Sequence, residues 1–155
     1  RRWRSYDGQS ISADRPERSR SRAPDGACHL ESISIQGALA EFDLASTDIV
    51  FVENVGNLVC PAEFDIGEHA KVAVSSTTEG EDKPEKYPLL FREAKMLLLN
   101  KVDLAEHVDF DTEAYLESVK KINGILPIIE SSSKSGAGMD QWYAWLESMV
   151  TELRG

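Results

Sequence analysis

MLLLNKVDL, residues 96–104, decides the fold. A short unbroken run of large apolar side chains bounded by polar residues fits a strand covered on both faces, the kind found in parallel sheets. The run stops at Asn100, Lys101, Val102 and Asp103, and the text beyond it turns helical: TEAYLESVKKIN (112–123) closes on Asn123 and Gly124 as a stop signal. LPIIES (126–131) reads as the next strand, and MDQWYAWLESMVTEL (139–153) as a closing helix with Trp142, Trp145, Leu146, Met149 and Leu153 on one stripe. Upstream, KVAVSS (71–76) reads as a strand and EKYPLLFREA (85–94) as one helix with Pro88 near its first turn. ESISIQGALAEF (31–42) spaces Ile35, Leu39 and Phe42 as a helix, and DIVFVE (48–53) is a β-branched and aromatic strand, apolar on both faces. Strands alternating with helices predict an α/β fold around a parallel sheet with right-handed crossovers. Ligands of such sheets sit at the carboxyl ends of the strands, so the chemistry is sought there.

Composition narrows the classes. The chain has 155 residues, enough for one core, and 41% of them are hydrophobic. No apolar run reaches the roughly 18 to 20 residues of a membrane span, no signal-peptide pattern opens the chain, and a cytoplasmic location without a membrane partner is expected. A net charge of -10 argues against nucleic acid as partner. Cys28 and Cys60 are too few for a disulfide framework; each is a buried small residue, a reactive thiol or a metal ligand. The charge is uneven: residues 1–25 hold seven arginines, no lysine and four acids, whereas residues 26–155 hold ten basic and 23 acidic side chains. The division is therefore 1–25, expected to be disordered or a non-native arginine-rich segment, and 26–155, the folded part. A basic arm for RNA or membrane is the functional alternative for residues 1–25. Out-of-frame translation is another, since the chain starts without Met.

The strand ends carry the candidate site. In N-K-x-D, the Asp103 carboxylate can accept two N–H groups of a guanine edge, the Lys101 stem can lie over the base and Asn100 can brace the loop. Adenine would face that carboxylate with an acceptor and be rejected. A plain turn is the commoner reading of an arbitrary four-residue match; the position after an apolar strand favours the nucleotide. After LPIIE, Ser131, Ser132, Ser133, Lys134, Ser135 and Gly136 form a second polar loop before a helix, either a purine-carbonyl contact or an N-cap. A third strand end, FVENVGNLVCP (51–61), delivers Glu53, Asn54, Gly56 and Cys60. A carboxylate is the hard ligand Mg²⁺ prefers, and glycine lets backbone approach a phosphate. Cys28, His29 and Cys60 are the ligand types of Zn²⁺ and Ni²⁺, although an adjacent Cys-His pair alone is weak evidence. His69 and His107 read as surface residues, with His69 a minor metal candidate beside Glu68.

N-K-x-D followed by S-S-K-S-G resembles the guanine-specifying motifs of G domains. Together with Cys28-His29-Leu30-Glu31, FVENVGNLVCPAEFDIGEH (51–69), TEGEDKPEKYPLLFREA (78–94), NKVDL and SSKSGAGM, it is similar to the HypB family of nickel-inserting GTPases of [NiFe]-hydrogenase maturation, from about Cys28 to the end. The resemblance implies a three-layer, parallel-sheet, P-loop NTPase-like G domain of SIMIBI type. It implies GTP with Mg²⁺ as cofactor, with Glu53 and Gly56 as catalytic residues of the third G motif and Asn100, Lys101, Asp103, Ser132, Ser133 and Lys134 binding the nucleotide. Cys28, His29 and Cys60 would hold Ni or Zn, in a homodimer joined through the metal and switch region. The implied partners are hydrogenase maturation proteins and the hydrogenase large subunit, and the implied function is that of a GTP-dependent nickel metallochaperone. No G-x-x-x-x-G-K-[ST] phosphate loop occurs in the 155 residues. The fold is therefore expected to be truncated at its N-terminus and GTP hydrolysis by this chain to be impaired. A nucleotide-independent metal-binding or dimerisation module is the alternative.

Overall fold

The computed structural model describes residues 4–6, 30, 32–40, 42–54, 56 and 58–155, without the side chains of residues 4–6, 60 and 61. The chain divides into two compact units, Arg1–Gly67 and Glu68–Gly155.

In the first unit, strand β1 (Arg4–Tyr6) runs parallel to β2 (Val50–Val52), with helix α1 (Ser32–Leu39) between them in sequence and helix α2 (Cys60–Glu63) after them. The expectation of disorder covers all of residues 1–25; of these, Arg4–Tyr6 is a strand, and the rest lies outside the described residues. The helix expected to reach Phe42 stops at Leu39 and continues as a turn in which Phe42 N–H donates to the Leu39 carbonyl. Ile35, Ala38, Leu39 and Phe42 nevertheless share one apolar crevice with Val50 and Val52, which fixes the face that α1 turns to the strand. The side chains of β2 are half-buried, not covered on both faces as expected, because β1 is the only strand beside it among the described residues.

The second unit is built on β3 (Val72–Ser76), α3 (Lys83–Lys86), α4 (Pro88–Glu93), β4 (Met96–Asn100), α5 (Thr112–Ile122), β5 (Ile128–Glu130) and α6 (Met139–Arg154). The sheet order is β3-β4-β5, parallel throughout, with Ser76 opposite Asn100 and Leu99 opposite Glu130. Parallel neighbours cannot be joined by tight hairpins; α3 with α4, and then α5, supply the long returns. Side chains of alternating strand positions, Ala73, Leu97 and Leu99, meet Phe91 of α4 and Tyr115 and Val119 of α5 in one core, with the Phe91 and Tyr115 rings edge-on at 6.4 Å. Leu97 and Leu99 are fully buried, so cutting either to alanine would cost about 2–5 kcal/mol.

The single helix expected over residues 85–94 is two helices. Pro84 and Pro88 each stand in the first turn of one, and Tyr87, forced out of the helical region by the proline after it, separates them with φ -131° and ψ 53°. Helix α5 is capped by Asp111, whose carboxylate accepts the Ala114 N–H at 2.9 Å, and stops before Asn123, whose amide donates to the Phe91 carbonyl at the end of α4. On α6 the predicted stripe is covered at Leu146 and stacked at Trp142 and Trp145 (5.4 Å), but Leu153 is exposed in the last turn. No described helix is long and apolar enough to cross a membrane.

Candidate nucleotide site at the strand ends

Because β3, β4 and β5 are parallel and in register, the residues that follow them leave the sheet along one edge. Thr77 and Thr78 follow β3, Lys101 to Asp103 follow β4, and Ser131 to Lys134 follow β5. This brings the two guanine-type loops of the sequence side by side within one unit.

The loops are tied at Asn100. Its side-chain oxygen accepts the Lys101 N–H at 2.8 Å and the Ser133 N–H at 3.3 Å. Below it, Ser131 N–H donates to the Leu99 carbonyl and Val102 N–H donates to the Ser131 carbonyl, so the ladder continues past the end of the strands. Lys101 adopts a left-handed conformation, φ 59° and ψ 34°, which is unusual for a residue with a side chain. Its carbonyl accepts from both the Leu104 N–H (2.9 Å) and the Thr77 hydroxyl (2.7 Å). Its ammonium lies 3.4 Å from the Thr78 hydroxyl, which is paired in turn with Ser76 at 2.9 Å. Asp103, two residues on, is exposed in the 3-10 turn 102–107, and no hydrogen bond or ion pair reaches its carboxylate among the described residues. An unspent carboxylate at a fixed strand end is what recognition of two adjacent N–H groups requires.

The serine loop is closed on itself. Ser132 N–H donates to the Ala137 carbonyl, Gly136 N–H donates to the Ser132 carbonyl, and the Ser132 hydroxyl accepts the Ser135 N–H at 3.2 Å, while Ser133 and Lys134 stay exposed. Gly138 then starts α6 at φ 71°, and a Cβ there would stand 2.1 Å from the Glu130 carbonyl oxygen. Close packing of the loop on β5 thus depends on glycine.

Neither Thr77 nor Thr78 is among the predicted site residues, although Thr78 opens the stretch 78–94 that carries part of the family resemblance. The signal was present: they end a strand, as the N-K-x-D and serine loops do. An open cavity of about 360 Å³ is lined by Thr77 to Glu81 and Val108 to Phe110 and by none of the six predicted nucleotide residues. Beneath the same strand, the hydroxyls of Ser75 and Tyr115 are buried without a hydrogen-bond partner among the described residues. Burial pushes the Tyr115 phenol up to about 12, with the nearby Ser75 hydroxyl opposing the rise and the Glu79 charge adding to it.

In the first unit, Glu53 is exposed just past β2 with no partner among the described residues, and a Cβ on Gly56 would meet nothing within 4 Å. Neither residue is used in packing among the described residues. Asn54 is used: its side-chain oxygen accepts the Leu30 N–H at 2.9 Å, across 24 residues. Leu30 directly follows Cys28 and His29, which lie outside the described residues, as does the side chain of Cys60. No group of three potential metal ligands occurs among the described residues, and His69 and His107 are exposed.

A parallel sheet with helical returns and paired polar loops at its strand ends defines a nucleotide-binding domain with the P-loop NTPase-like fold. The chain belongs to the CobW/HypB/UreG family, whose nucleotide-binding domain matches residues 7–130. It is 51% identical over 120 residues to the hydrogenase maturation factor HypB of Azotobacter vinelandii, a match covering 77% of this chain and 40% of that protein. To the hydrogenase maturation factor HypB of Escherichia coli K12 it is 52% identical over 121 residues, covering 78% and 42% respectively. The chain thus spans about two fifths of the length of these relatives. The crystal structure of HypB from Helicobacter pylori in complex with nickel superposes with a TM-score of 0.83 at 31% identity, covering 88% of this chain and 65% of that one.

Proposed function

We propose that this chain is the guanine-nucleotide-binding and metal-handling part of a GTP-dependent nickel metallochaperone that acts in [NiFe]-hydrogenase maturation. The observation that carries the nucleotide half is the bridge at Asn100, which holds the N-K-x-D and serine loops together and leaves Asp103 unspent. Asp103 takes the N1 and N2 protons of guanine, Lys101 covers the base, and Ser132, Ser133 and Lys134 line the side of its carbonyl. Within the first unit, Glu53 and Gly56 have the donor chemistry for Mg²⁺ and a γ-phosphate: an exposed carboxylate with no partner among the described residues, and a glycine with open space where a Cβ would be. Bound Mg²⁺ would neutralise phosphate charge. Hydrolysis by the 155-residue chain is weak, since it contains no G-x-x-x-x-G-K-[ST] sequence.

The metal half rests on donor chemistry and on the similarity to nickel-bound HypB of Helicobacter pylori. Cys28, His29 and Cys60 hold the cargo Ni²⁺, or Zn²⁺ in its place, at a homodimer contact in the cytoplasm, from which nickel passes through maturation partners to the hydrogenase large subunit. Two measurements on the purified chain test this reading. Binding of radiolabelled GTP with ATP as competitor checks the base site: equal competition by ATP would overturn it. A Ni²⁺ titration of the parent and Cys60→Ala checks the metal site, and equal affinity of the two would remove Cys60 from it. Metal binding without any nucleotide binding would leave a nucleotide-independent metal module.

A further inference from the structure

The recognised guanine motifs end with the loops after β4 and β5, yet the lysine of N-K-x-D is held by residues of a third strand end. Thr77 is 1% exposed, and its hydroxyl donates to the Lys101 carbonyl at 2.7 Å, across 24 residues. That carbonyl belongs to a residue in the left-handed region, a conformation that persists only where its surroundings hold it. The Lys101 N–H is committed to Asn100 and the ammonium meets Thr78, whose hydroxyl is braced by Ser76. Lys101 is therefore fixed at its amide, its carbonyl and its tip. The carbonyl and tip contacts come from Thr77 and Thr78. Asp103 begins two residues later in the turn whose first hydrogen bond, Leu104 N–H to the Lys101 carbonyl, shares its acceptor with Thr77.

We infer that Thr77, with Thr78, is a positioning residue for base selectivity: it locks the left-handed Lys101 and thereby aims both the lysine stem and the Asp103 carboxylate at the base. This rests on the reading of N-K-x-D as a guanine site and extends that site to β3. Removing only the hydroxyl lets Lys101 relax towards an ordinary backbone conformation. The Leu104 N–H still satisfies its carbonyl, so the fold is kept while the aim of Asp103 is lost.

The test is an NMR titration of the full chain with guanosine, inosine and adenosine diphosphates, comparing the parent with Thr77→Val, Thr77→Ser and Thr78→Val. Inosine lacks the 2-amino group that Asp103 would bind, so the guanosine-to-inosine preference reports the aim of that carboxylate. Thr77→Val is expected to lower guanosine diphosphate affinity about tenfold and to shrink the preference over inosine towards unity, whereas Thr77→Ser keeps both. Unchanged affinity and preference in Thr77→Val overturn the inference, and so does an equal loss of both nucleotides, which marks a merely structural role. Should Thr77→Val not fold, Thr78→Val decides: it frees the lysine tip and is expected to weaken guanosine diphosphate a few-fold, and no change overturns the inference. A parent that binds adenosine diphosphate as well as guanosine diphosphate refutes the guanine reading itself, and the inference falls with it.

Discussion

The side-chain oxygen of Asn100 accepts two backbone N–H groups, its neighbour's at 2.8 Å and that of Ser133 at 3.3 Å, and so joins loops separated by a helix and a strand. Both N–H groups point at one acceptor that only a carboxamide or carboxylate of that length supplies. Asn100→Ala is expected to release both loops and to lower guanine-nucleotide affinity about tenfold or more while α5 and β5 stay intact. Nucleotide titration together with far-UV circular dichroism checks it.

Asp103 presents two acceptor oxygens and no donor. Asp103→Asn replaces one acceptor by an NH₂ group, which suits a purine with a carbonyl at C2 in place of an amine. Guanosine diphosphate affinity should fall on the order of 100-fold, and xanthosine diphosphate should bind better than it does to the parent. Competition between the two nucleotides reads the exchange; an unchanged ratio would place Asp103 outside the base site.

Gly138 lies at φ 71° with the Glu130 carbonyl oxygen 2.1 Å from where a Cβ would stand. Gly138→Ala has to move the serine loop off β5 and strain the backbone, at a cost of roughly 2–4 kcal/mol. Urea unfolding measures it. A loss below about 0.5 kcal/mol would show that the loop yields freely.

Tyr115 has its phenol raised to about 12 by burial, so the folded state keeps a proton that the unfolded chain gives up near 10. Stability from this group is complete below pH 10 and drains away as pH rises from 10 to 12, on the order of 2 kcal/mol in all. Tyr115→Phe should abolish that alkaline loss and, by removing a buried hydroxyl with no hydrogen-bond partner among the described residues, leave stability at pH 7 equal or higher. Denaturation curves at pH 8, 10 and 11.5 compare the two proteins.

Asn54 anchors Leu30, the residue after Cys28-His29, through one hydrogen bond of 2.9 Å. Asn54→Ala is expected to weaken Ni²⁺ binding several-fold by loosening that segment, whereas Asn54→Asp keeps an acceptor and most of the affinity. Calorimetric titration distinguishes them, and equal affinities in all three proteins would separate Asn54 from the metal site.

The sequence by itself determined the parallel sheet of the second unit and the loops that matter in it. MLLLN (96–100) and LPIIES (126–131) are short apolar runs that read as strands, which the structure places at Met96–Asn100 and Ile128–Glu130, and the polar text after each marks the edge where ligands of such sheets sit. A helix boundary was legible where a stop signal announced it, at Asn123 and Gly124, whereas the Asp111 cap at the other end of that helix emerged only in the structure. Another was misread at Tyr87, where the local pattern suited one helix and the proline that follows made two. What only the tertiary structure decided are contacts between distant positions. The Asn100 bridge to Ser133, the Thr77 hold on Lys101 and the Asn54 anchor on Leu30 span 33, 24 and 24 residues. Residue type and periodicity report the local backbone and the burial of a face. Which hydroxyl meets which carbonyl depends on strand order and register, and these are set when the whole sheet assembles.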